Sequence, residues 1–120
     1  FGFITCKGIT IQDGDKKRGY FGLSGDRDAL LQIYDDGKTT VAYLGRNANT
    51  GEMMFHLDSK SKTDKRRAFI GIEKRGGGLN CFNSIGESVA EVGVAVDEGG
   101  IMLTTDKFRK EVNVLRVETQ

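Results

Sequence analysis

A short two-strand unit is repeated along this sequence, and the repeat limits the fold more than any other feature. Each unit begins with two apolar residues separated by one other residue, and these pairs start at Ile9, Leu31, Met53, Leu79 and Ile101. The starts are 22, 22, 26 and 22 residues apart. A fixed period of about 20–50 residues is the signature of a repeat architecture. We therefore predict five copies of one structural unit.

The second half of each unit supports this prediction. Four units close with a bulky apolar residue followed by glycine: Phe21-Gly22, Leu44-Gly45, Ile70-Gly71 and Val92-Gly93. Between the two halves lie "QDGDK", "DDGK" and "SIGE", which are typical turns between alternating strands. The four extra residues of the third unit fall in its central turn, where hairpins tolerate insertions. The pattern predicts about ten short strands in a continuous meander, with an eleventh at "FGFITCKG".

Composition indicates a thin core, because hydrophobic residues are only 38%, with 17 Gly and no Pro among 120 residues. A single sheet cannot bury its apolar face alone. We therefore predict one all-β domain over residues 1–120, an antiparallel meander of β-prism or β-helix type completed by three copies in a homotrimer. A closed up-and-down barrel and a monomeric β-solenoid are alternatives. In each, Ile33 is expected on the buried face and Gln32 on the other.

The unit resembles a repeat of uncharacterised bacterial proteins, approximately L-x-L-x-D-x-x-G-K-x-R-A-x-L-G. Here it reads "LLQIYDDGKTTVAYLG", "LNCFNSIGESVAEVG" and "ITIQDGDKKRGYFG", and "RRAFIG" keeps its second half. The motif's arginine is replaced by Val41, Val89 and Glu111 in three units. The unit is also similar to the β-meanders of phage tail fibres and trimeric bacterial adhesins. This resemblance implies an exposed, fibrous and homotrimeric domain at a cell surface, outside the cell or on a virion.

Charge argues against two classes of partner. The chain has 18 basic and 17 acidic residues, for a net charge of +1, so it has no overall attraction to nucleic acid or to anionic membranes. No apolar run approaches the 18 residues or so of a membrane helix. Because the first residue is Phe, we expect this chain to be a piece of a longer protein.

No pattern of reactive residues predicts catalysis, a metal or a cofactor. His56 is the only histidine, and we expect it to be a half-exposed strand residue without a nucleophile. Cys6 and Cys81 are expected to be buried thiols, with a disulfide between them as the alternative. "DGDKK" and "YDDGK" lack the full spacing of an EF-hand calcium loop, so we interpret them as turns. We predict that the chain is not an enzyme.

The most distinctive local feature is a basic run on the longest turn. It comprises Lys60, Lys62, Lys65, Arg66 and Arg67. In a trimer it would occur three times around the axis, and repeated weak contacts would bind anionic glycans or another cell-surface ligand. A solvated loop is the simpler interpretation. The sequence thus predicts a structural or adhesive β-repeat domain of a bacterial or phage surface or fibre protein, with a small-ligand-binding β-barrel as the alternative.

Overall fold

The computed structural model describes residues 2–36 and 38–117, and these form ten β-strands without any helix. The strands are β1 (Gly8–Asp13), β2 (Lys16–Leu23), β3 (Ala29–Asp35), β4 (Thr39–Arg46), β5 (Met53–Asp58), β6 (Arg67–Glu73), β7 (Gly76–Phe82), β8 (Ser88–Val94), β9 (Gly100–Thr105) and β10 (Val112–Arg116). They lie in one sheet in chain order, each antiparallel to the next. The predicted all-β meander of hairpin units is confirmed.

The sheet is open, which corrects two of the expectations. β1 and β10 lie at opposite edges of the sheet, so the closed barrel is wrong. The hairpins lie side by side in one sheet instead of stacking as the coils of a solenoid. The predicted eleventh strand is also absent among its described residues 2–7, because the first strand begins at Gly8.

The repeat continues into the details of the backbone. In three hairpins the register shifts at the equivalent place, after Ile11, Ile33 and Cys81. Each shift leaves one extra residue on the returning strand, which is the mark of a β-bulge. In the second and fourth units that extra residue is Val41 and Val89, the positions where the repeat motif has arginine. The third unit has no such shift and carries its insertion in the loop 59–66 between β5 and β6.

Pairing across the sheet aligns the apolar residues of all ten strands. Residues directly opposite each other in antiparallel strands share a face. One row, which we call the first apolar row, comprises Ile9, Phe21, Leu31, Leu44, Phe55, Ile70, Leu79, Val92, Met102 and Leu115. The second apolar row comprises Ile11, Gly19, Ile33, Ala42, Leu57, Ala68, Cys81, Ala90, Thr104 and Asn113. The two rows together are called the apolar face.

The sheet is a single layer, so no other described residue covers this face. Among the described hydrophobic residues only Ala42 and Ala95 are buried, and no large side chain is fully buried. Ile33 is 48% exposed, so the expectation that it would be buried is wrong for the single chain. Cys6 and Cys81 are both free and exposed, which also contradicts the expectation of buried thiols and of a disulfide.

The opposite face is organised by aromatic rings that lie over the closing glycines. Its central row comprises Thr10, Tyr20, Gln32, Tyr43, His56, Phe69, Asn80, Glu91, Leu103 and Val114. A Cβ added at Gly45 would lie 2.6 Å from Tyr43 Oη, and one at Gly71 would lie 2.7 Å from Phe69 Cζ. Glycine closes these units because the ring two residues earlier occupies the space of a side chain.

Candidate functional site

The apolar face is a chemically uniform surface that crosses all ten strands. Its twenty positions contain no charged residue, and only Thr104 and Asn113 have polar side chains. Eight of the ten side chains in the first apolar row are between 40% and 67% exposed. Monomeric soluble proteins seldom expose an apolar patch larger than a few hundred Å². A patch that crosses ten strands is therefore typical of a contact surface.

A shallow groove of about 450 Å³ lies in the middle of this face. Leu44, Phe55, Ile70, Leu79 and Val92 of the first apolar row line it. Gly77 and Gly78 contribute no side chain there, so the floor of the groove is partly backbone. The groove offers apolar contacts and room for inserted side chains, with almost no groups that could orient a polar ligand.

The basic run lies at the other candidate surface, the tip of the β5–β6 hairpin. Lys62, Lys65, Arg66 and Arg67 line a second cleft of about 440 Å³, while Lys60 lies outside its lining. The structure thus brings four of the five predicted residues together. We call this the tip cleft; its other lining residues are Thr39, Thr40, Asp58, Ser59, Ser61, Asp64, Phe82 and Gly86.

Two carboxylates in the tip cleft hold its arginines. Arg66 Nε donates to Asp64 Oδ2 over 2.6 Å, and Arg67 Nε donates to Asp58 Oδ1. The backbone N–H of Arg66 also donates to Asp64 Oδ1, and this bond is the main reason why the pKa of Asp64 lies below its usual value of 3.8. Asp64 is therefore an anion at neutral pH, with a fixed place beside the arginine.

Sequence reasoning missed the neighbouring hairpins that complete the tip cleft. Thr39 and Thr40 come from β4, and Phe82 and Gly86 belong to β7 and the turn after it. Nothing in these residue types marks a site. The signal that could have found them is the 22-residue spacing, because equal units in a meander place alternate turns at the same end of the strands.

His56 has a more enclosed position than the sequence predicts. Its side chain is 12% exposed, its ring stacks on Tyr43 with centroids 5.3 Å apart, and Nδ1 lies 2.6 Å from Asp58 Oδ2. This contact lacks hydrogen-bond geometry and becomes an ion pair only when the imidazole is protonated. Asp58 also binds Arg67, and this pair links β5 to β6.

The acidic turns that resemble calcium loops are turns in the structure. Gly14 has a φ of 61° and Asp36 a φ of 50°, the left-handed conformation of tight turns. The Asp36 carboxylate faces Arg18 at 3.5 Å and Lys16 at 3.7 Å. Within residues 2–36 and 38–117, no group of three or more His, Cys, Asp or Glu side chains could hold a metal ion. The same residues contain no helix that could span a membrane.

Comparisons with known proteins gave no match to a family model, a curated protein or a solved structure.

Proposed function

We propose that this chain is a non-enzymatic structural and adhesive β-repeat domain of a bacterial or phage surface or fibre protein, and that copies of it associate through their apolar faces. The observation that carries the proposal is the uncharged apolar face, which runs across every described strand and is left uncovered by residues 2–36 and 38–117. A covering layer of the same length and pattern is supplied by another copy of the same sheet.

The surface area supports association. The chain exposes 9221 Å², whereas a folded monomer of 13.2 kDa exposes about 6,400 Å². The excess is about 2,800 Å² per chain, which is in the range that obligate assemblies bury. The apolar face alone measures about 48 Å across ten strands and about 14 Å along them, or about 650 Å² per copy in projection. Two such faces in contact exceed the minimum of about 1,000 Å² for a stable interface.

A homotrimer is the favoured assembly because its dimensions fit the strands. The shortest strand, β10, has five residues, a length of about 17 Å. Three sheets arranged as a triangle of that side lie about 5 Å from the common axis, half of the roughly 10 Å that separates packed sheets. Apolar side chains of ordinary size therefore fill such a prism without a central channel, and the basic tips occur three times around its axis.

Light scattering tests the assembly directly. We expect a mass of about 40 kDa, three times the 13.2 kDa of one chain. A mass of about 26 kDa would indicate a dimer, which would still bury the apolar face but would contradict three-fold symmetry. A monomer at concentrations of tens of micromolar would contradict the proposal, since it would leave the whole apolar face in water.

The two cysteines report which face is covered. Cys81 lies in the second apolar row, whereas Cys6 precedes β1. In the assembly we expect a thiol reagent to label Cys6 quickly and Cys81 at least tenfold more slowly, with both labelled at similar rates under denaturing conditions. Equal labelling of the two thiols in the native assembly would show that copies associate through another surface.

A further inference from the structure

We infer that the tip cleft binds an anionic saccharide, one that carries carboxylate, sulfate or phosphate groups. This inference deepens the adhesive part of the proposed function, because it names a site and a ligand class. It rests on residues of a single chain and not on the apolar face. It can therefore succeed or fail independently of the assembly.

The charges of the tip cleft favour an anion. Among the described residues, Lys62 and Lys65 have no carboxylate within ion-pair distance, so both ammonium groups are available. Four basic and two acidic residues line the cleft, which leaves a net charge of +2 there, although the whole chain is almost neutral. An oxyanion bound between the two lysines would gain charge-assisted hydrogen bonds.

The two arginines of the tip cleft are also oriented to bind an anion. Asp64 and Asp58 each bind the Nε of an arginine, which leaves the terminal Nη groups of Arg66 and Arg67 without a partner among the described residues. A guanidinium can bind carboxylate, sulfate or phosphate oxygens through two parallel N–H groups. The carboxylates therefore fix the direction of both guanidinium groups, while the Nη atoms of the two arginines stay free to bind a ligand.

The remaining lining suits a sugar better than a simple ion. Thr39, Thr40, Ser59 and Ser61 supply hydroxyl groups, and Phe82 supplies an apolar wall. A sugar ring presents hydroxyls at its edge and C–H groups on its faces, so both kinds of contact are useful. The volume of about 440 Å³ lies within the usual range of roughly 300–1,000 Å³ for small-molecule sites.

The loop that carries these groups is tied to its neighbours, unlike a simple solvated loop. Lys65 N donates to Ser84 O over 3.0 Å, which joins the β5–β6 loop to the β7–β8 turn. Ser59 N donates to Arg66 O over 3.1 Å across the base of the loop. The stem of Lys65 packs on Gly86, where an added Cβ would lie 3.0 Å from Lys65 Cδ. Lys65 and the two arginines are thus held in place before a ligand binds, which reduces the entropy cost of binding.

The test compares two double variants of equal charge. Lys62→Gln/Lys65→Gln removes the two unpaired cations of the tip cleft. Lys74→Gln/Arg75→Gln removes two exposed cations from the β6–β7 turn, which lies at the opposite end of the strands from the tip cleft. The probes for calorimetry are a sulfated heparin oligosaccharide, a carboxylated oligogalacturonate, neutral dextran and single-stranded oligo(dT).

We expect the unchanged chain to bind at least one anionic oligosaccharide and not dextran, and the tip variant to bind it at least tenfold more weakly. The control variant should change the affinity less than twofold. Arg66→Lys, which keeps the charge but loses the fork, should weaken binding severalfold. Equal losses in both double variants, tighter binding of oligo(dT), or no binding of either anionic probe would overturn the inference. Light scattering on every variant separates this result from failure of the assembly, because neither pair lies on the apolar face.

Discussion

The closing glycines provide a sharp test of the packing, because two of them occupy equivalent positions with different neighbours. Gly45 closes the second unit and Gly93 the fourth, and neither has a positive φ. A Cβ at Gly45 would lie 2.6 Å from Tyr43 Oη and 2.7 Å from Tyr43 Cζ. At Gly93 the nearest atom is Gly77 O at 3.9 Å, because Glu91 replaces the aromatic residue there.

The magnitude of the effect follows from these distances. Gly45→Ala must displace the Tyr43 ring by about 1 Å, which breaks the 3.0 Å hydrogen bond from Tyr43 Oη to Arg46 O. We expect overpacking to cost about 1–3 kcal/mol and the lost hydrogen bond about 1 kcal/mol. Alanine in a strand gives back about 0.5–1 kcal/mol relative to glycine. The net loss in the free energy of unfolding is about 1–3.5 kcal/mol.

The control has the opposite sign. Gly93→Ala adds a methyl group that makes only an ordinary van der Waals contact, so it should raise the free energy of unfolding by about 0.5–1 kcal/mol. Urea unfolding followed by circular dichroism, at one fixed protein concentration, measures both values. Similar losses for the two variants would refute the role of the ring.

A double-mutant cycle then isolates the ring as the cause. In a Tyr43→Leu background, Gly45→Ala should cost less than about 0.5 kcal/mol, because the ring atoms at 2.6 and 2.7 Å are gone and only Leu30 Cβ, at 3.1 Å, remains close. If Gly45→Ala remains as costly there as in the unchanged chain, the penalty arises from the contact with Leu30 and not from the ring.

Two further predictions concern the apolar face and the tip cleft. Ile33→Asp places a charge on the apolar face and should reduce the mass in solution toward 13.2 kDa, whereas Gln32→Asp on the opposite face should leave the mass unchanged. Light scattering on both variants measures this difference. Equal masses for the two variants would show that the apolar face is misassigned. The pKa of Asp64 is lowered mainly by the backbone N–H of Arg66, so its contribution to stability is present above pH 3.8 and is lost as the pH falls through the lower folded value. An NMR titration should therefore find this carboxyl more than half ionised at pH 3.8, and Arg66→Gln should raise its pKa only partway because the backbone donor remains.

The sequence by itself determined the secondary structure and the topology. The apolar pairs at Ile9, Leu31, Met53, Leu79 and Ile101 predict the five hairpins, since strands alternate with period two and glycine-rich turns return the chain. Short connections in a meander leave neighbouring strands little choice of partner. The opposite faces of Ile33 and Gln32, and the insertion in the loop 59–66, follow from the same periodicity.

Only the tertiary structure decided whether the sheet closes into a barrel or stays open. Period two tells which residues share a face, but the curvature that would close a barrel depends on twist and bulges summed over ten strands. The exposure of Ile33 and Cys81 follows from the open sheet, so neither could be read from local pattern. The tip cleft likewise joins Thr39, Lys65 and Phe82, which are far apart in sequence and meet only because alternate turns lie at the same end of the strands. The position of the Tyr43 ring over Gly45 also depends on the tertiary structure, because periodicity places Tyr43 on a face but does not fix where its ring lies.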